Sequence, residues 1–245
     1  MDVTAIITRY NNPVEMAARA IKSAEGQTPA PAEIIMTLDG GGTCAGWYHH
    51  TILRTLRPDD CYGSWREAVY HARTEYVAIL HDDDWWEPTF LSSAMALMRP
   101  DCGFVFSQQR IHFSDRKLVN FAWLNQTGYC ESRSLAARLR ETQDAMSPSC
   151  VVARRADLLQ TIIPGGVPFA PRRVLCGPDL LITALLLLRY PVCGHVHEPL
   201  CNALAHDGST TMRAHLDGLT DEMQRNYDLA WRFYDALAPL VEEVK

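Results

Sequence analysis

What the chain lacks narrows its class first. Its longest apolar run, Leu180–Leu188, is interrupted by Thr183 and falls well short of the ~20 residues a helix needs to span a bilayer. The opening Met1-Asp2-Val3-Thr4-Ala5-Ile6-Ile7 has no basic segment leading into a long apolar one. It does not read as a secretory signal, and a cytoplasmic location is expected. None of the 8 cysteines (Cys44, Cys61, Cys102, Cys130, Cys150, Cys176, Cys193 and Cys201) forms a CxxC pair, which excludes the usual zinc spacing. They read as small buried apolar residues, since a cytosolic chain of this size needs no disulfide. Excess positive charge is also absent. A formal charge of −6 disfavours nucleic acid as a partner. No internal repeat and no low-complexity tract interrupts the chain.

What is present is one concentrated anomaly. Asp82-Asp83-Asp84 follows the apolar run Tyr76–Leu80 and precedes Trp85-Trp86-Glu87-Pro88. Three like charges at the end of a buried strand are costly unless something positive sits among them. A divalent metal is the simplest remedy, and hard oxygen ligands suit Mg²⁺ or Mn²⁺. An EF-hand is excluded because its spaced acids and later Glu are missing. A metal-dependent enzyme is the leading expectation.

The 245 residues suffice for one large α/β domain. Val3–Thr8, Glu33–Leu38, Tyr76–Leu80 and Cys102–Ser107 read as strands. Helical patterns from Pro13, over Ser64–Arg73 with Ser64 as N-cap, and over Pro88–Met98 alternate with them. Such alternation implies a mostly parallel sheet with helices on both faces, and ligands then sit beyond the C-terminal strand ends. Thr8-Arg9-Tyr10, Asp39-Gly40 and the aspartate run each follow a strand directly, so three polar clusters converge on one sheet edge. Residues 111–147 show no clean period, and 164–178 read as a Pro/Gly-rich loop. Ser149–Ala153 and Val192–Val196 read as strands, Asp179–Arg189 as a buried helix, and the tail as a helix with an apolar stripe from Leu216 to Val241. That stripe leaves room for a homodimer seam or a peripheral membrane contact, although its acidic residues argue against anionic lipid.

The ordered set Ala5–Pro13, Ile34–Gly41 and Glu75–Pro88 resembles the family-2 glycosyltransferases, whose opening loop, nucleotide-binding Asp and DxD-type motif occur in this order. Further on, Ser147–Arg155 resembles the strand entering the acceptor region. Gly177-Pro178-Asp179 falls at the family's ED-type motif, and His206-Asp207-Gly208-Ser209 at its HxxS element. The chain departs from the pattern at Pro178, where an acid is common, and at Thr8-Arg9, where Pro-Thr is common.

The resemblance implies a GT-A (Rossmann-like) fold, a nucleotide-sugar donor such as a UDP-sugar, Mn²⁺ or Mg²⁺, a hydroxyl acceptor such as a glycan, and inversion. It also implies roles. Asp83 and Asp84, with His206, would hold the metal. Thr8, Arg9, Tyr10, Asp39, Arg66 and Asp82 would bind the donor, and Asp179 would be the catalytic base. Residues 1–107 would form the donor half of a single domain, 108–205 the acceptor half and 206–245 a helical tail. Two alternatives stay open: a metal-dependent nucleotidyl or phosphoryl transferase, disfavoured by the absence of Gly after the first strand, and a non-catalytic nucleotide-sugar binder. His195 and His197 alternate on a strand and read as structural. The tryptophans read as packing residues, with sugar stacking as the minority role.

Overall fold

β1 (Val3–Arg9) runs through the middle of the sheet, and all but one of its residues are buried. A central strand covered on both faces must be apolar on both sides, which explains its unbroken run in place of an alternating one. The computed structural model describes residues 1–9, 12–38, 49–54, 61–162, 177–209, 212 and 217–242. β1 pairs in parallel with β2 (Glu33–Leu38) and with β4 (Tyr76–His81); β2 pairs in parallel with the edge strand β3 (Thr51–Arg54). Beyond β4 the order continues through β9 (Val151–Arg154), β6 (Cys102–His112), β10 (Val192–Leu204) and β5 (Trp85–Trp86). β9 is antiparallel to both its neighbours, whereas β6 and β10 are parallel. β7 (Lys117–Asn120) and β8 (Gly128–Glu131) attach at the side, to β6 and β10 respectively. The result is the mixed, mostly parallel α/β architecture that the alternating pattern implies.

Helices α1 (Val14–Glu25), α2 (Cys61–His71), α3 (Phe90–Leu97), α4 (Ser132–Thr142) and α5 (Arg155–Thr161) surround the sheet. Two expectations need correction. Ser64 is not an N-cap: α2 starts at Cys61, and Ser64 is fully buried inside it. Residues 111–147 are not irregular throughout, because β7, β8 and α4 occupy much of them. β7 and β8 have 4 residues each, too short for a period to register.

The apolar helix of the second half is α6 (Pro178–Arg189), with Leu180, Leu181, Ala184, Leu186 and Leu187 buried. Full burial of each such leucine is worth roughly 1.5–3 kcal/mol. α6 packs against the last helix, α7 (Thr220–Glu242). The α7 stripe anticipated from sequence is directed inward, with Met223, Ala230 and Trp231 buried within this one chain. No helix among the described residues is long and apolar enough to cross a membrane. Cys102, Cys150, Cys193 and Cys201 are buried thiols, as expected from sequence, and Cys130 is partly buried.

Candidate active site

β4 ends at His81 on the edge of the sheet, and the chain turns through the aspartates before β5. Asp82 and Asp84 are almost fully buried, at 3 % and 4 % exposure. The Asp82 backbone N–H donates to the Thr8 carbonyl (3.2 Å), and Asn12 Nδ2 donates to Asp82 Oδ1 (2.7 Å). Asp82 therefore anchors Asn12, just ahead of α1. Thr8 itself lies between Thr37 and His81 in adjacent strands, and Arg9, largely buried, is the last residue of β1.

The burial of Asp84 pushes its carboxyl well above the usual carboxylate range, and neighbouring Asp83 adds to the shift; hydrogen bonds from the Ser149 side chain and the Leu204 backbone oppose it. Ser149 Oγ also accepts from the His81 backbone N–H (3.1 Å), and the Trp86 indole N–H donates to the Ser149 carbonyl (2.6 Å). A short 3₁₀ turn at Pro148–Cys150 thus clamps both ends of the aspartate turn.

His81, Asp83 and Asp84 each offer a ligand atom within 4.8 Å of the other two. Two carboxylates suit Mg²⁺ or Mn²⁺, while an imidazole shifts preference toward transition ions. The donor set fits a divalent cation of the kind expected from sequence. His81 stacks on the Trp65 ring (5.7 Å between centroids, 15° between planes). Burial pulls its pKa down, against the attraction of Asp83 and Asp179.

His206 lies at the same place by another route. Its Nε2 is 3.2 Å from Asp83 Oδ2, and its Nδ1 accepts the Gly208 N–H (3.2 Å). With Nδ1 accepting, the proton of a neutral ring sits on Nε2 and points at Asp83. The contact joins His206 directly to one of the aspartates expected to hold the cation. Arg19 of α1 adds a positive charge beside the turn. Its Nη2 donates to the Asp83 carbonyl (2.8 Å), and its guanidinium lies 3.9 Å from the Trp85 ring centroid. Trp85 also packs on His112 at 4.7 Å, which fits packing better than sugar stacking.

Asp179 stands in the first turn of α6. Gly177 is the N-cap residue and makes no side-chain cap bond; Asp179 Oδ1 accepts the Leu180 N–H (2.9 Å). Burial raises the carboxyl above its ordinary range, and the Leu180 N–H and His81 pull against it. Asp179 and His81 influence each other electrostatically, so the candidate base and the aspartate turn share one neighbourhood. Asp179 also lines a small cavity of about 30 Å³ between the sheet and α6, with Val77, Ile79, Met146, Val151 and Ile182.

Arg66 does not reach toward a phosphate. Its Nη1 donates to the carbonyls of Leu159 (2.9 Å) and Ile162 (2.7 Å), tying α2 to the end of α5. The reason is local: the last carbonyls of a helix have no intrahelical partner, and a guanidinium satisfies them. Tyr10 and Asp39 lie outside the described residues. His195 and His197 face the carbonyls of Gln126 (3.1 Å) and Leu124 (3.0 Å), consistent with structural roles. His81, Arg19, Asn12 and Ser149 were not singled out by sequence reasoning. Asn12 and Ser149 lie within quoted motifs, and His81 carried a signal as the polar last residue of an apolar strand beside the acids, whereas Arg19 carried none.

The fold has known counterparts. The sequence matches the model for glycosyl transferase family 2 over residues 4–160. The match spans well over half of the chain, and the protein belongs to that family. No curated protein matches the sequence. Among solved structures, S. aureus TarS superposes with a TM-score of 0.64 at 14% identity, covering 84% of this chain and 37% of TarS. S. aureus TarS 1-349 in complex with UDP-GlcNAc gives a TM-score of 0.66 at 14% identity, covering 86% of this chain and 60% of that one. The complex of the same fragment with UDP gives 0.64 at 14% identity, covering 84% and 61%. The chain thus spans between about a third and three fifths of these neighbours. At such identity the likeness is one of fold, the GT-A fold.

Proposed function

We propose that the protein is a metal-dependent inverting glycosyltransferase. It would take its sugar from a nucleoside-diphosphate sugar, a UDP-sugar first, and pass it to a hydroxyl acceptor. The observation that carries this reading is the grouping of His81, Asp83 and Asp84 where β4 ends in a GT-A sheet. The UDP and UDP-GlcNAc complexes of structural neighbours support the donor class. Family position assigns Thr8, Arg9, Tyr10 and Asp39 to the nucleotide. Asp82 contributes by holding Asn12 in place behind them. We give Arg66 a structural role because its Nη1 is engaged by α5.

A cation held by Asp83 and Asp84, with His81 beside them, would offset the charge that builds on the departing diphosphate. The residues of the chain do the rest. Arg19 fixes the backbone at Asp83. His206 orients the Asp83 carboxylate. Asp179 accepts the proton of the acceptor hydroxyl as that oxygen attacks the anomeric carbon. Residues 108–205 would present the acceptor, and the enzyme would act in the cytoplasm, as expected from sequence.

A thermal-shift panel of UDP, GDP and other nucleoside diphosphates, with and without Mn²⁺, tests donor and cation together. A ligand at a hundred times its Kd stabilises by about 2.7 kcal/mol, so the expected result is a clear Tm rise with UDP and Mn²⁺ that Asp83→Ala removes. An equal UDP shift in Asp83→Ala without cation would sink the metal assignment.

A further inference from the structure

A second group of metal-capable side chains lies at the other end of the sheet. Glu25 is the last residue of α1, which runs back from the aspartate edge after β1. His49 and His50 directly precede β3, whose first residue, Thr51, pairs with Ile35 near the start of β2. β3 runs parallel to β2, reaching Leu38 only at Arg54. The group therefore sits where the strands begin, away from Asp82–Asp84.

Both imidazoles converge on one atom. His49 Nε2 lies 3.1 Å and His50 Nε2 2.9 Å from Glu25 Oε1. All three ligand atoms fall within 4.8 Å of one another. The two rings are 3.9 Å apart between centroids, tilted by 50°. Bonds of ~2.0–2.1 Å around a tetrahedral ion place neighbouring ligand atoms roughly 3.3 Å apart. Only a small expansion of the observed spacings would admit such an ion. Two imidazoles and one carboxylate form a donor set for Zn²⁺ and similar transition ions, and a poor one for Mg²⁺ or Ca²⁺. The side chains of His49 and Glu25 are 60% and 39% exposed, so an ion can enter and keep water in its fourth position, while His50, at 11%, anchors the site in the fold.

We propose that Glu25, His49 and His50 form a Zn²⁺ site that staples the end of α1 to the start of the edge strand β3. It is separate from the cation site at the aspartates and independent of the reaction proposed above.

Zn²⁺ titration of the untagged full chain, followed by calorimetry in millimolar Mg²⁺, tests this. In the Asp83→Ala background, which removes a ligand of the aspartate site, one Zn²⁺ per chain is expected, weakened at least tenfold when His49→Ala or Glu25→Gln is added. His49 is exposed enough for its substitution to leave the fold intact, and the circular dichroism and zinc-free Tm of His49→Ala should match those of the parent. Co²⁺ should give an intense tetrahedral visible band that His49→Ala abolishes. Zinc binding that persists in both His49→Ala and Glu25→Gln, or that disappears in Asp83→Ala, overturns the proposal. The first outcome leaves the glycosyltransferase reading untouched, because that reading stands on Asp83.

Discussion

Asp179 is held between opposing influences. The N-terminal turn of α6 offers it the Leu180 N–H, and His81 favours its charge, yet burial outweighs both and raises its pKa. A base must be ionised to accept a proton. The acidic limb of kcat/KM should therefore lie above the ordinary carboxylate range, with activity falling as pH drops through the raised value. Asp179→Asn should lower kcat by roughly 10²–10⁴-fold while leaving the donor Kd unchanged, and that limb should vanish from its pH–rate profile. Full transfer by this variant would remove Asp179 as base. The sign for stability is opposite. A carboxyl with a raised folded pKa binds its proton more tightly when folded, so its penalty is absent at low pH and grows as pH rises through that value. Asp179→Asn should accordingly raise Tm at neutral pH, the usual exchange of activity for stability at a functional site.

At the scale of elements, α6 and α7 together decide where that carboxyl points. Gly177 caps α6 with φ at +112°, and a Cβ there would come within 2.9 Å of Asn226 Cβ on α7. Gly177→Ala should cost about 1–3 kcal/mol from backbone strain and this clash. Since 1 kcal/mol shifts Tm by roughly 2–4 °C in a chain of this size, differential scanning calorimetry should show a fall of several degrees. Assays should show kcat reduced and donor affinity retained; a variant with unchanged kcat would mean that α7 does not position Asp179.

Elements also mark what the sequence made readable. β1, β2 and β4 stood out because doubly covered strands are apolar throughout, and the acids stood out because they end one. The neighbours of those acids did not. Arg19 is more than sixty residues from Asp83 in the chain and reaches it only because α1 packs beside β5. Arg66 looked equally eligible, but the end of α5, nearly a hundred residues away in the chain, claims it. Nothing local separates the two arginines; only the fold does.

At the scale of the molecule, residues 1–107 cannot be parted from those that follow. β6, which closes the first stretch, does not pair with β4. β9, drawn from residues 151–154, is inserted between them and pairs with both. A fragment of residues 1–107 would leave β4 and β6 with open edges and apolar faces, a template for aggregation. We expect it to be insoluble or unfolded by circular dichroism, whereas the full chain should unfold in one calorimetric transition. A folded, UDP-binding fragment would show that the halves are independent.

The stacking of Trp65 against His81 has an optical consequence. An indole in face-to-face contact with an imidazole is quenched when that ring becomes cationic, and its emission changes when the ring is drawn away. Whatever arrives at the aspartates must alter the surroundings of His81. The chain therefore carries its own label at the place where donor and cation would meet, and their arrival can be followed by light, in real time, without dye or radioisotope.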